Sequence, residues 1–487
     1  MPSKHRPDTD IDRSADRSVD RRTFVKAVSA GGVATGLAGC SGFGGSSSGS
    51  NGGNTLRITA HTEWRNNEKK IVKALHDAGF PEDIDIKMIS AGQTTDEMQT
   101  KYRQWLSADR PDPDLMVFDC GWTTPFIVRG QLKKLDDVLP KKVKNKVEND
   151  YFQQSVKSAR SNDGSLYGVP LYTDLPTIQY RKDLVKKAGY DWTQYKTKPM
   201  SWKQFSNEMA DVLEQSDVKY GFNWQAASEI QLACCVFNEF LSSWGGAYFG
   251  NPEENLYKVG KRPVTVDEKP VIDSLKMART FIHGTDASDT MDGYGAKITS
   301  SEASQWGLSP SMRPFTQGNA VALRNWPYSI AINGADDALG EKMGVMPIPY
   351  GVKPGQAKYP GTGGSIAALG GWNFSMNPNT ENEDACVEFY KAITTKSFQL
   401  DNFQIAGHIP PVSKTLKNAT DVPVMGRYVD TLAYTGQHTL ARPATVIWPE
   451  QSQAVAQKAN AVIMGNVGAQ EGMDQLKSQL QKLEKKV

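Results

Sequence analysis

The sequence carries almost no surplus of charge. Seven of its 56 basic and five of its 54 acidic residues lie in the first forty positions, which leaves 49 of each in the rest of the chain. That balance offers no electrostatic footprint for nucleic acid or an anionic membrane surface, and it favours a neutral ligand. Histidines are few, six in all, and none stands at metal-ligand spacing. No H-E-x-x-H, phosphate loop or Cys-x-x-Cys occurs, so no metal, cofactor or catalytic residue is expected. A literal nucleophile-elbow match, Gly45-Ser46-Ser47-Ser48-Gly49, lies in a Gly/Ser stretch without the strand and helix that motif requires. Beyond the N-terminus no apolar run approaches the roughly twenty residues that span a bilayer.

What is present begins at the N-terminus. Arg21-Arg22 is followed by an uncharged small and apolar stretch, Ala27 to Gly39, ending in Leu37-Ala38-Gly39-Cys40. A basic region, a short apolar region and a small-residue cleavage site make a signal peptide, and the arginine pair points to twin-arginine export. Residues 1–40 are therefore expected to be a signal with a lipobox. Cys40 is the expected lipidation site, anchoring the protein to the extracytoplasmic face of the membrane. Residues 41–53, nearly all Gly, Ser and Asn, form a tether. This leader resembles those of haloarchaeal lipoproteins. Four cysteines remain. An exported chain can form disulfides, yet the adjacent Cys234 and Cys235 sit in an apolar, helix-like run and are read as buried thiols, like Cys120 and Cys386.

The residues after the tether are too many for one ordinary core. Apolar runs of strand length alternate with amphipathic helical stretches, the pattern of α/β layers. Leu56–Ala60, Ile84–Ile89 and Leu115–Phe118 read as strands. Residues 66–78, 96–108, 202–215, 229–242, 384–394 and 450–464 read as helices, with Ser201 the expected N-cap of 202–215.

The order of short motifs then becomes specific. Pro113-Asp114-Leu115-Met116-Val117-Phe118-Asp119, Leu166-Tyr167-Gly168-Val169-Pro170, Phe315-Thr316-Gln317-Gly318-Asn319, Arg324-Asn325-Trp326-Pro327-Tyr328 and Gly370-Gly371-Trp372 occur in that sequence. Together they resemble the extracellular solute-binding proteins of carbohydrate ABC importers, in particular trehalose/maltose-binding members. The resemblance implies an α/β, two-lobe periplasmic-binding-protein type II fold with crossing strands and a ligand cleft. It places residues 54–171 and 348–377 in one lobe, and 172–347 and 378–487 in the other. Crossings are expected near 168–171, 346–349 and 372–377. The implied partners are a neutral sugar and the permease subunits in the membrane, with the binding protein itself a monomer.

A neutral sugar offers hydroxyls that donate and accept, and ring faces that stack. Glu63, Asp119 and Asp174 fall just past strand ends, where ligands sit in α/β folds, and are the expected acceptors; Arg442 is the expected donor. Trp326, Tyr328 and Trp372, with Trp122 and Tyr172, are the expected stacking platforms, and Gly371 belongs to the same motif. Two other readings share this chemistry: a secreted carbohydrate-active enzyme, and a solute receptor for a signalling partner.

Overall fold

The computed structural model describes residues 54–487 apart from 93, 94 and 259. The expected signal, Cys40 and the tether lie outside the described residues. The strands are β1 (Thr55–Thr59), β2 (Asp85–Ile89), β3 (Leu115–Asp119), β4 (Val169–Asp174), β5 (Thr177–Arg181), β6 (Tyr220–Asn223), β7 (Ala320–Asn325), β8 (Met343–Met346), β9 (Ala367–Ala368), β10 (Gly370–Met376) and β11 (Thr439–Leu440).

They make two main sheets. The first has the order β2-β1-β3-β10-β4 and the second β6-β7-β5-β8, while β9 and β11 form a small parallel pair. Helices cover both, so the inner strands read as unbroken apolar runs: the first four residues of β3 are buried, as is all of β10. The first core joins Leu56, Ile58, Val117 and Phe118 to Phe374. The second buries Trp192, Trp202 and Trp224, so these tryptophans are structural.

Local signals explain most helices. In the helix Glu68–Asp77 the buried Ile71, Ala74 and Leu75 recur at helical spacing. The expected start at 66 gives way to a separate short helix, Thr62–Asn66, with Asn67 between the two at φ −116° and ψ 25°. Ser201 Oγ accepts from Gln204 N at 3.1 Å, so it caps Trp202–Glu214 as expected.

The connections between lobes match the expected ones only in part: the one near 346–349 opens the second connection, and the others lie elsewhere. The chain first crosses between β4 and β5, then returns along residues 347–369. Residues 372–377 are no crossing: β10 lies between β3 and β4 inside the first sheet. The third crossing follows the helix Lys396–Ala406, where Ile409 O accepts from Thr173 N at 3.1 Å and Pro411 O from Phe152 N at 2.8 Å. Two segments also change sides. Ile348 packs in the second core and Gly363 N donates to Ser242 O, whereas Phe389, Tyr390 and Phe398 complete the first core. An amphipathic helix shows in sequence that one face is covered, but not by which sheet.

The adjacent cysteines are a further correction. Cys234 and Cys235 are buried as expected, but they are joined in a disulfide. The run 229–242 is a π turn, Leu232–Val236, followed by the helix Phe237–Ser243. Both cysteines lie inside the π turn.

Candidate functional site

β10 runs antiparallel to β3 and β4, so its first residues lie beside the last residues of those strands. Trp372 is opposite both Asp119 and Tyr172, and Gly370 is opposite Asp174. This places Asp119, Tyr172, Asp174, Gly371 and Trp372 along one edge of the first sheet. Glu63 joins them from the short helix that follows β1.

The glycine pair is what permits close approach. Gly371 has φ +130°, and a Cβ there would meet Tyr172 O at 2.6 Å; a Cβ on Gly370 would meet Trp326 Cζ3 at 2.7 Å and Asp174 Cβ at 2.8 Å. Trp326 comes from the other lobe, so Gly370 is a point of close approach between the two lobes.

Aromatic rings line this edge. The Trp372 ring meets Trp122 edge-on at 5.8 Å and His61 at 4.2 Å, and Tyr172 stacks on His408 at 3.8 Å. Trp122 Nε1, His61 Nε2 and His408 Nδ1 are buried with no hydrogen-bond partner. Buried polar atoms are normally satisfied, so three unpaired ones at a single edge are what a polar ligand would complete. Burial, then the nearby Arg65, pushes His61 down to about 4. Burial, then His61, holds His408 well below the usual histidine range. Both rings are neutral at pH 7.

The carboxylates differ from one another. Burial, reinforced by Glu63, pushes Asp174 up to about 7. Asp119 is paired with the Arg442 guanidinium, and its Oδ1 also accepts from Gly121 N at 2.7 Å. Burial pushes Arg442 down to about 10. Any side chain at Gly121 would collide with that guanidinium.

From the second lobe, Trp326 and Tyr328 stand at the start of the helix Pro327–Asn333. Trp326 packs with Cys234, Cys235 and Ala368, and the Arg324 guanidinium lies 4.8 Å from its ring. Tyr328 is 42% exposed; burial of part of its ring raises its phenol, and Asp174 raises it further.

The ten residues singled out from sequence thus meet at one junction of the lobes. His61 and His408 were missed. His61 lies just past β1 and was within reach of the strand-end rule that selected Glu63; His408 carries no local signal, since a crossing segment brings it in. Among the described residues no cluster of His, Cys, Asp or Glu could hold a metal ion, and no helix is long and apolar enough to cross a membrane.

Residues 72–425 match the family described as bacterial extracellular solute-binding proteins. The chain belongs to this family. It is therefore the solute-binding subunit of an ABC importer, extracytoplasmic and not an enzyme. A probable ABC transporter-binding protein of Deinococcus radiodurans is 25% identical over 386 residues, covering 77% of this chain and 80% of its own. Maltose-bound MalE3 of T. maritima superposes with a TM-score of 0.67 at 23% identity, over 88% of this solute-binding protein and 99% of MalE3. UgpB of Mycobacterium tuberculosis, in complex with glycerophosphocholine, gives 0.63 at 19%, over 89% and 98%. These likenesses carry the two-lobe type II fold.

Proposed function

We propose that this solute-binding protein captures a neutral sugar, with a disaccharide such as trehalose or maltose favoured, and delivers it to the membrane permease. The observation that carries this reading is the charge balance of an aromatic-lined cleft. Arg442 at the strand edge is matched by Asp119, Arg65 near His61 shares its short helix with Glu63, and His61 and His408 are held neutral. A phosphate-bearing solute of the kind named for UgpB needs a cation free to meet it; a sugar needs ring faces and mixed donors and acceptors. Trp122, Trp326 and Trp372 supply the faces. Glu63, Asp119, Asp174 and Arg442 supply the polar partners.

Because Trp326 and Trp372 belong to different lobes, a sugar held between them favours the closed state through its differential affinity. Residues 1–53 complete the proposal: export by the twin-arginine route, lipid on Cys40, and a tether long enough to leave the lobes free to dock.

Calorimetric titration of the purified protein with trehalose, maltose, glucose and glycerol 3-phosphate tests the reading. The expected result is binding of a neutral sugar with a rise in melting temperature and no product formed. Binding of glycerol 3-phosphate with no response to any sugar would overturn it. For the anchor, mass spectrometry of the membrane fraction should find lipid on the Cys40 peptide, and Cys40→Ala should release the protein.

A further inference from the structure

The sequence holds two Asn-x-Ser/Thr tripeptides, Asn373-Phe374-Ser375 and Asn418-Ala419-Thr420. Outside the cytoplasm such a tripeptide is an acceptor for a glycan on the asparagine amide, provided that it lies at the surface. The family places this chain outside the cytoplasm, so the fold decides which of the two can be read.

The first is closed off. Asn373 and Ser375 lie in β10, between β3 and β4 in the first sheet. Asn373 is 1% exposed and Ser375 is fully buried. The Asn373 amide already donates to Thr123 Oγ1 and to Ser158 Oγ, each at 3.4 Å. To meet a transferase, this strand would have to leave the sheet.

The second is arranged the other way. The short helix Ser413–Lys417 ends at Asn418, its C-cap, at φ −87° and ψ 1°. Asn418 N donates to Thr415 O at 3.1 Å and Ala419 N to Leu416 O at 3.0 Å, so the backbone of the turn is fixed. Ala419 is buried and packs in one cluster with Leu416, Met425 and Leu432. With the middle residue turned inward, Asn418 and Thr420 are left exposed, and these are the two side chains a transferase reads. The Asn418 amide, unlike that of Asn373, has no hydrogen-bond partner among the described residues.

We infer that Asn418 is an N-glycosylation site and that Asn373 stays bare. The co-reactant is a glycan carried on a lipid phosphate. Asn418 Nδ2 bonds to the anomeric carbon as the bond from that carbon to the phosphate oxygen breaks. The lipid phosphate leaves with the electron pair, and one amide proton passes to a base of the transferase. The inference rests on the extracytoplasmic location and is independent of which solute the cleft takes.

The test is peptide mass spectrometry on the protein purified from the cells that make it. The peptide with Asn418 should carry a glycan mass, and the peptide with Asn373 should have the mass of its bare sequence. Asn418→Gln and Thr420→Ala should each lose the added mass, whereas Thr420→Ser should keep it, because the hydroxyl is what is read. All three changes fall on exposed side chains, and an unaltered melting temperature checks that the variants fold. A bare Asn418 peptide overturns the inference. So does a glycan on Asn373, or one on Asn418 that survives Thr420→Ala, since neither burial nor the tripeptide would then select the site.

Discussion

Two arginine–carboxylate pairs stand close to the lobe junction, and they have opposite character. Arg324 and Glu239 are fully buried. Arg324 Nε donates to Glu239 Oε2 at 2.8 Å and its Nη1 to Gln225 Oε1 at 3.1 Å, while Glu239 Oε1 also accepts from Ala368 N at 3.1 Å. This pair ties β7, the helix Phe237–Ser243 and β9 together and backs the Trp326 ring. Arg442 and Asp119 retain 15% and 14% side-chain exposure at the cleft. The first pair is fully enclosed, and its further partners, Gln225 and Ala368 N, are fixed in the same core. The second keeps some side-chain exposure on both members, with Gly121 N as a further donor to Asp119.

The largest effect that would break the comparison is on stability. Arg324→Met leaves Glu239 buried and unpaired, and removing one partner of a buried pair costs about 3–5 kcal/mol. Chemical denaturation should show a loss of that order, and Arg442→Met a clearly smaller one. Equal losses would mean that the cleft pair is structural too.

Affinity should show the reverse order. Hydrogen bonds to charged groups contribute about 1.5–3 kcal/mol, so Arg442→Met should weaken sugar binding about tenfold or more in titration. Unchanged affinity would remove Arg442 and its partner from the site.

A third effect is one of pH, and it sharpens the contrast between Asp119 and Asp174. Asp174 is pushed up to about 7 by burial and then by Glu63, with Tyr172, Cys120 and Tyr328 also within electrostatic reach. A carboxyl whose folded value lies above its unfolded one, about 3.9, binds more protons folded than unfolded. Its contribution is complete below about 4 and is lost as pH rises towards about 7. The ligand-free protein should therefore lose stability over that window, and Asp174→Asn should flatten the slope. A slope unaltered in the variant would assign it to other groups.

The strands most easily read were those whose residues are covered on both faces, such as Leu115–Phe118, because burial itself writes the apolar run. Ser201 was legible because a cap is a contact between near neighbours. The motif Gly370-Gly371-Trp372 was legible as a motif, although what its glycines provide, room for Trp326 and a backbone at φ +130°, is visible only in three dimensions. Helix Glu383–Ile393 was legible as a helix over 384–394 yet packs in the first core and not in the lobe expected for it, since periodicity reports a buried face without naming its partner.

By itself the sequence determined the α/β pattern, the balanced charge and the residue types of the cleft edge, because these follow from composition and local spacing. The tertiary structure alone decided the three crossings, the joining of Cys234 to Cys235, and the meeting of His61 and His408 with Trp372 and Tyr172. Most of those contacts link segments far apart in the chain, and no local propensity specifies them. It also decided which arginine is locked in the core and which waits at the cleft, because burial and available partners are properties of the packed molecule.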